Sequence, residues 1–221
     1  MNLSDIWDGQ HLLVSPEQHH RLTRCGLLDH PDYRLSTWKA DHNSKDLLAT
    51  GLRWLESLET KGSKRWLLFT GPTGTGKTML AHILATLWSC LNEQDATVCA
   101  WALWLNAKRE SYNHNGEESV DLGPLIGVPF LVLDDVAMEM TTHSLKQLWL
   151  VLEGRMLKPT IITMNSDIRQ FKAAMKKLNG DAADYAAKVG SRLSSGKGGT
   201  CWGWCRFDGA DYRTQKERTS E

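Results

Sequence analysis

The sequence predicts an α/β fold, a parallel sheet covered by helices on both faces. Three observations predict it. Short apolar runs alternate with stretches of helical periodicity along most of the 221 residues, the pattern of successive βαβ units. A glycine-rich loop stands between one such run and one such helix. A further apolar run, Phe130-Leu131-Val132-Leu133, ends in two carboxylates, Asp134 and Asp135.

Each element has its own signal. Met1 to about Asp46 is polar, His-rich and weakly periodic. Its Leu12-Leu13-Val14 and Leu27-Leu28 suffice for one or two short helices, and the segment is too short for a core of its own. Ser44 to Leu58 carries Leu47, Leu48, Leu52, Leu55 and Leu58, a helical stripe with Ser44 as its cap. Gly51 weakens that helix. Trp66 to Thr70 reads as a strand, and Met79, Leu80, Ile83, Leu84, Leu87 and Trp88 recur at helical spacing after it. Thr97 to Trp101 reads as a second strand, Leu103 to about Tyr112 as a helix and Asn113 to Gly116 as a loop. The strand ending at Asp134-Asp135 follows, then a helix marked by Leu145, Leu148, Trp149 and Leu152. Thr160 to Asn165 is a fourth strand, Asp167 to Leu178 and Asp181 to Val189 are helices, and residues 200–207 are a fifth strand. The polar stretch Thr214 to Glu221 is a frayed tail.

Gly71-Pro72-Thr73-Gly74-Thr75-Gly76-Lys77-Thr78 matches G-x-x-x-x-G-K-[ST]. Strand, glycine loop and helix together make a phosphate cradle. The glycines let backbone N–H groups turn inward, and the helix directs its first amides and its dipole at an anion. Lys77 is placed to reach the β- and γ-phosphates of a nucleoside triphosphate, and the Thr78 hydroxyl to hold Mg²⁺. A metal needs an acidic ligand. Asp134 ends a buried strand, where ligands bind in open α/β sheets, and it is expected to hold Mg²⁺ directly or through water. Asp135, pointing the other way along the strand, is expected to polarise a water for attack on the γ-phosphate. Asn165 ends the next apolar strand. It either orients that water or contacts the γ-phosphate, or it caps the helix after it, beside Ser166 and Asp167. Lys188 and Arg192 share a face if their helix continues past Gly190. They are either a solvated basic face or cations that stabilise charge developing on a γ-phosphate.

The 26 basic and 26 acidic residues cancel, so no global field draws the chain to DNA or membranes. Charge is nonetheless uneven. From Ile168 onward there are 11 Lys and Arg against 6 Asp and Glu, whereas Glu110 to Leu145 has no Lys or Arg at all. Opposite local charge of this kind either favours head-to-tail self-association or is ordinary surface variation. No stretch of 18 apolar residues exists and Met1 to Gln10 is no signal peptide. A soluble, cytoplasmic chain with no membrane partner is expected. Five cysteines suit reduced thiols better than a disulfide framework. Cys201 and Cys205 lie on one strand, roughly 13 Å apart, too far for two Zn–S bonds of about 2.3 Å.

The series Gly-Pro-Thr-Gly-Thr-Gly-Lys-Thr, Leu-Val-Leu-Asp-Asp-Val, Lys-Pro-Thr-Ile-Ile-Thr-Met-Asn, Ser-Arg-Leu and Asp-Tyr-Arg resembles the AAA+ ATPases of the DnaC/DnaI helicase-loader group, in which the transposition ATPase IstB also stands. The resemblance covers about residues 30 to 213, with Pro31-Asp32-Tyr33-Arg34 as the lead-in. It implies a P-loop NTPase of AAA+ type, a three-layer α/β/α sandwich on a five-stranded parallel sheet, with little or no C-terminal helical lid. It divides the chain into a short N-terminal arm (1–45) with a partner-binding role, an ATPase core (46–213) and a flexible tail (214–221). It implies ATP and Mg²⁺ held by Gly71 to Thr78 and the adjoining Met79, with Lys77 and Thr78 as the Walker A pair and Asp134 and Asp135 as Walker B. Asn165 falls at sensor 1, Arg192 at the trans arginine finger and Arg213 at a sensor-2-like arginine. Lys188, one turn before Arg192, stands where the group often has Arg, and it lacks the planar fork. Asp135 replaces the usual Glu and is one methylene shorter. The implied partners are further copies joined head-to-tail through the ATP site, a replicative helicase and single-stranded DNA. Lys108, Arg109 and Tyr112 are the DNA candidates, on a helix resembling the group's pore-facing element. That same helix end is equally readable as a basic terminus favoured by the dipole.

The function expected is thus ATP hydrolysis in DNA replication, loading a helicase. The alternatives are an IstB-like regulator on duplex DNA and a nucleotide-dependent assembly protein that hydrolyses weakly. A small-molecule kinase is disfavoured by the tandem acids and by the lack of an Arg-rich lid.

Overall fold

The computed structural model describes residues 14–30, 33–38, 42–115, 121–136, 140–166, 168–194 and 200–209. Five strands, β1 (Trp66–Thr70), β2 (Ala96–Ala100), β3 (Phe130–Asp134), β4 (Thr160–Met164) and β5 (Cys201–Arg206), form one sheet in the order β2-β3-β4-β1-β5. Every pairing is parallel. The helices are α1 (Pro16–Arg24), α2 (His42–Ser57), α3 (Lys77–Asn92), α4 (Trp101–Asn115), α5 (Gly123–Gly127), α6 (Thr142–Gly154), α7 (Ile168–Met175) and α8 (Gly180–Arg192).

Strand alternation builds two cores. Leu67 and Phe69 of β1, Phe130 and Val132 of β3 and Ile161 of β4 face α1, α2 and α3. Trp66, Leu68, Leu131, Leu133, Ile162 and Met164 face α4 to α8. With both faces buried, the central strands read as unbroken apolar runs rather than alternating ones. The expected three-layer α/β/α sandwich with its five-stranded parallel sheet is the fold observed. The N-terminal residues join it. Ser15 and Gln18 close a capping box on α1. Leu22 and Leu27 enter the first core, and Gln18 Nε2 donates to Cys90 O at 3.2 Å.

Several boundaries differ from expectation. The helix before β1 begins at His42, so Ser44 lies in its first turn rather than at its cap. Residues 113–115, expected as loop, are the last residues of α4. That helix starts directly off β2, anchored by buried Trp101 and Leu105, and no strong breaker precedes Gly116. α8 runs past Gly190 to Arg192. There the missing side chain suits close packing, since a Cβ would lie 3.1 Å from Met175 Cε.

Arg155, fully buried, holds the entrances of β3 and β4. Its Nε donates to Thr160 Oγ1, its Nη1 to the carbonyls of Leu125, Ile126 and Val128, and its Nη2 to that of Pro159. Burial lowers its pKa to about 10, so it stays charged at neutral pH. Arg155→Leu would strand buried acceptors at the base of the two strands that carry Asp134 and Asn165. We expect a stability loss of about 3–5 kcal/mol, read as a lower urea midpoint at unchanged m-value. A loss below about 1 kcal/mol would show the clamp to be dispensable.

Candidate nucleotide site

The glycine loop leaves β1 at Thr70 and enters α3 at Lys77. Gly71 (φ 139°) and Gly76 (φ 91°) occupy backbone regions that L side chains rarely adopt. At Gly71 space is excluded as well: a Cβ would stand 2.1 Å from Phe207 O, where the residue after β5 closes over the loop by donating its N–H to Thr70 O. Gly76 precedes the first turn of α3 with Trp38 against it, where a Cβ would lie 3.3 Å from the indole ring. Pro72 and Thr73 are exposed, and Gly74, Thr78 and Met79 are half-buried. Thr75 is buried and donates its hydroxyl to Pro72 O. Lys77 is 5% exposed, folded back so that Nζ donates to Gly71 O at 2.9 Å and to Pro72 O. The ammonium thus lies within the cradle it would surrender to a phosphate.

The acids meet this loop. Thr78 Oγ1 donates to Asp134 Oδ1 at 2.9 Å and lies 3.2 Å from Oδ2. Thr78 follows β1 and Asp134 ends β3, and these two strands are not neighbours. In the sheet β4 stands between β1 and β3, so Thr78 reaches over β4. Thr163 of β4 fills the gap: its hydroxyl donates to Asp134 Oδ1 at 2.6 Å and accepts from Asp135 N at 2.9 Å. Sequence reasoning missed Thr163. Its signal is a hydroxyl near the end of a largely apolar strand, two residues before Asn165.

Asp135 follows the last residue of β3, so strand alternation does not set its direction as expected. It sits at φ 56°, a left-handed conformation that Asp tolerates better than most residues. Its Oδ1 accepts from Asn165 Nδ2. The Asn165 side chain thus lies beside the carboxylates, and α7 begins only at Ile168. Burial raises the pKa of Asp135, Asp134 raises it further and Lys77 opposes. A raised pKa makes a carboxylate a stronger base.

His82, one helical turn beyond Thr78, packs edge-on against His30 and Tyr33. Burial, reinforced by His30, pushes it down to about 4. The imidazole is therefore neutral, and it holds residues just ahead of α2 against the loop's helix.

The remaining candidates lie elsewhere. Arg192 ends α8 with its guanidinium forked on Glu153 of α6: Nε donates to Oε2 at 2.9 Å and Nη2 to Oε1 at 3.2 Å. Glu153 carried no sequence signal. Lys188 shares the Arg192 face and lies 4.7 Å from the Trp149 ring centroid and 4.9 Å from that of Tyr185. Lys108, half-buried on α4, stands 5.8 Å from the Trp104 ring, which stacks on Trp101. Arg213 and the side chains of Arg109 and Tyr112 lie outside the described residues. The five cysteines are free, and burial pushes the thiols of Cys201 and Cys205 up to about 12.

The oxygen donors of Thr78 and Asp134 suit a hard cation such as Mg²⁺. Buried backbone, Lys77 and a helix N-terminus suit polyphosphate. The family model described as magnesium chelatase, subunit ChlI, matches residues 58–116, the stretch from β1 through α4. No curated protein matches the chain in sequence. Among solved structures, the DnaC helicase loader is 20% identical at a TM-score of 0.59, covering 80% of this chain and 97% of its own. DnaI is 19% identical at 0.53, covering 77% and 85%. A replication initiator DnaA bound to AMPPCP and single-stranded DNA is 17% identical at 0.57, covering 86% and 55%. The chain has the fold of the AAA+ P-loop NTPases, shared with the helicase loaders whose motif series it resembles and with DnaA.

Proposed function

We propose that the chain is a Mg²⁺-dependent AAA+ ATPase acting in DNA replication, loading a hexameric helicase. One observation carries the reading: Thr78 and Asp134 converge across β4, joining phosphate loop and acid pair in a single site. Mg²⁺ bound there would neutralise charge on the β- and γ-phosphates. The chain's own groups supply the rest. Amides of the loop and Lys77 bind phosphate oxygens. Thr163 and Asn165 orient the two carboxylates, and Asp135 accepts the proton of the attacking water. Arg192 acts on the site of the next protomer in a head-to-tail assembly. The arm, residues 1–45, is the segment offered to the client, and the end of α4 around Lys108, Arg109 and Tyr112 is offered to DNA. The DnaA neighbour carrying AMPPCP and single-stranded DNA supports both ligands by analogy of fold.

A second reading, a nucleotide-dependent assembly protein with slow turnover, is favoured by the short acid Asp135 being engaged by Asn165. Binding is common to both readings. Lys77→Ala should weaken ATP binding about 10- to 100-fold, the value of a lost charge-assisted hydrogen bond, measured by titration calorimetry with Mg²⁺ present. Unchanged affinity would remove the loop from nucleotide binding.

A further inference from the structure

The two ends of the sheet differ in one respect that nucleotide chemistry leaves unused. β5 is an edge strand, and its pairing with β1 slips: Trp66 faces Cys201, yet Leu67 faces Gly203. The extra residue changes which side the later residues take. Without it, Trp204 would lie on the face opposite Cys201. With it, Trp204 pairs Leu68, which faces the α7–α8 layer. Bulges re-aim side chains in this way at sheet edges. The indole is then held in place, its Nε1 donating to Leu193 O at 3.0 Å, while the residue remains 37% exposed. Lys172 Nζ stands 4.9 Å from the ring centroid.

Lys172 belongs to a run of one sign. Ile168 to Gly180 contains Arg169, Lys172, Lys176 and Lys177 and no Asp or Glu. Arg169, Lys172 and Lys176, spaced three and four apart, share one face of α7 and its closing turn, and all are exposed. Phe171 faces the core. Among the described residues no carboxylate pairs with Lys172, Lys176 or Lys177, in contrast to Arg192 on Glu153 and Arg206 on Asp208. A fixed, part-exposed indole with Lys172 beside it, on a helix face whose lysines no described carboxylate neutralises, combines a stacking platform with a charged track, the pairing that suits single-stranded nucleic acid.

We propose that α7 and the bulged edge of β5 form a nucleic-acid-binding surface, taking a base against Trp204 and backbone phosphates along Arg169, Lys172 and Lys176. It lies at the β5 edge of the sheet, whereas Lys108 lies on the helix that follows β2 at the other edge. The site does not depend on the ATPase reading.

The test uses the full chain and a fluorescein-labelled oligothymidylate of about 20 nucleotides, longer than a typical single-strand site. Anisotropy is measured across a salt series, with and without a non-hydrolysable ATP analogue. Lys172→Gln/Lys176→Gln should weaken binding and reduce the log–log salt slope by about 1.4, two phosphate contacts at about 0.7 each. Trp204→Leu should weaken binding roughly 5- to 100-fold with little change of slope, and Trp204→Phe should recover much of it. Melting temperature confirms that each variant is folded. Absence of wild-type binding, or affinity and slope indifferent to all three variants, would overturn the proposal. So would loss of binding to phosphatidylserine vesicles alone, which would make the patch a membrane surface. Aggregation of the variants at unchanged affinity would equally overturn it, leaving the lysines as guards of an open strand edge.

Discussion

Replacing Arg192 by alanine should lower ATP turnover about 10³-fold at concentrations where protomers associate, and should leave the turnover of dilute monomer unchanged. The magnitude is the lower bound usual for an arginine supplied in trans. The asymmetry would come from placement. Within its own subunit the guanidinium engages Glu153 on α6. The pair is part exposed, 30% for Arg192 and 41% for Glu153, so it is worth under about 1 kcal/mol. A neighbour's γ-phosphate, being more highly charged, can displace so weak a partner. Lysine at 192 would restore little, because one ammonium cannot reproduce the fork. Steady-state turnover against protein concentration decides the matter. An equal loss in dilute monomer would place Arg192 in cis or in a structural role.

Asp135→Asn should keep ATP binding and lose hydrolysis by roughly 10²-fold or more, the effect of a missing general base. The substitution preserves shape but removes the proton acceptor. Binding should survive because the contacts to Thr78 belong to Asp134. The pH profile gives a second readout. Burial and Asp134 raise the Asp135 pKa against the opposing Lys77, so the acidic limb of the wild-type rate should be displaced upward from that of a free aspartate and vanish in the variant. A wild-type rate in Asp135→Asn would exclude this residue from the chemistry. A wild-type protein with negligible turnover that still assembles on ATP would favour the slow-hydrolysis reading.

Much of this was legible in order of residues. Period-2 and period-3.6 patterns arise from contacts within a few positions, so the strands around the glycine loop, the helix after it and the apolar run ending at Asp134 could be read directly. A loop that must pass backbone amides to an anion needs glycine wherever φ is positive, and the chain shows that need at Gly71 and Gly76. Local reading failed where the next partner was distant. Nothing near Thr163 announces that it joins Asp134 to Asp135, 29 and 28 residues away. Nothing near Glu153 announces Arg192, 39 residues on.

The glycine loop and the tandem acids could be found from short-range pattern alone, because each motif is contiguous. Which strand lies between them, which carboxylate holds Arg192 and which face receives Trp204 were settled by sheet order, helix packing and one bulge. Those depend on long-range pairing, in which burying apolar surface selects the partner and neighbouring residues leave no trace of the choice.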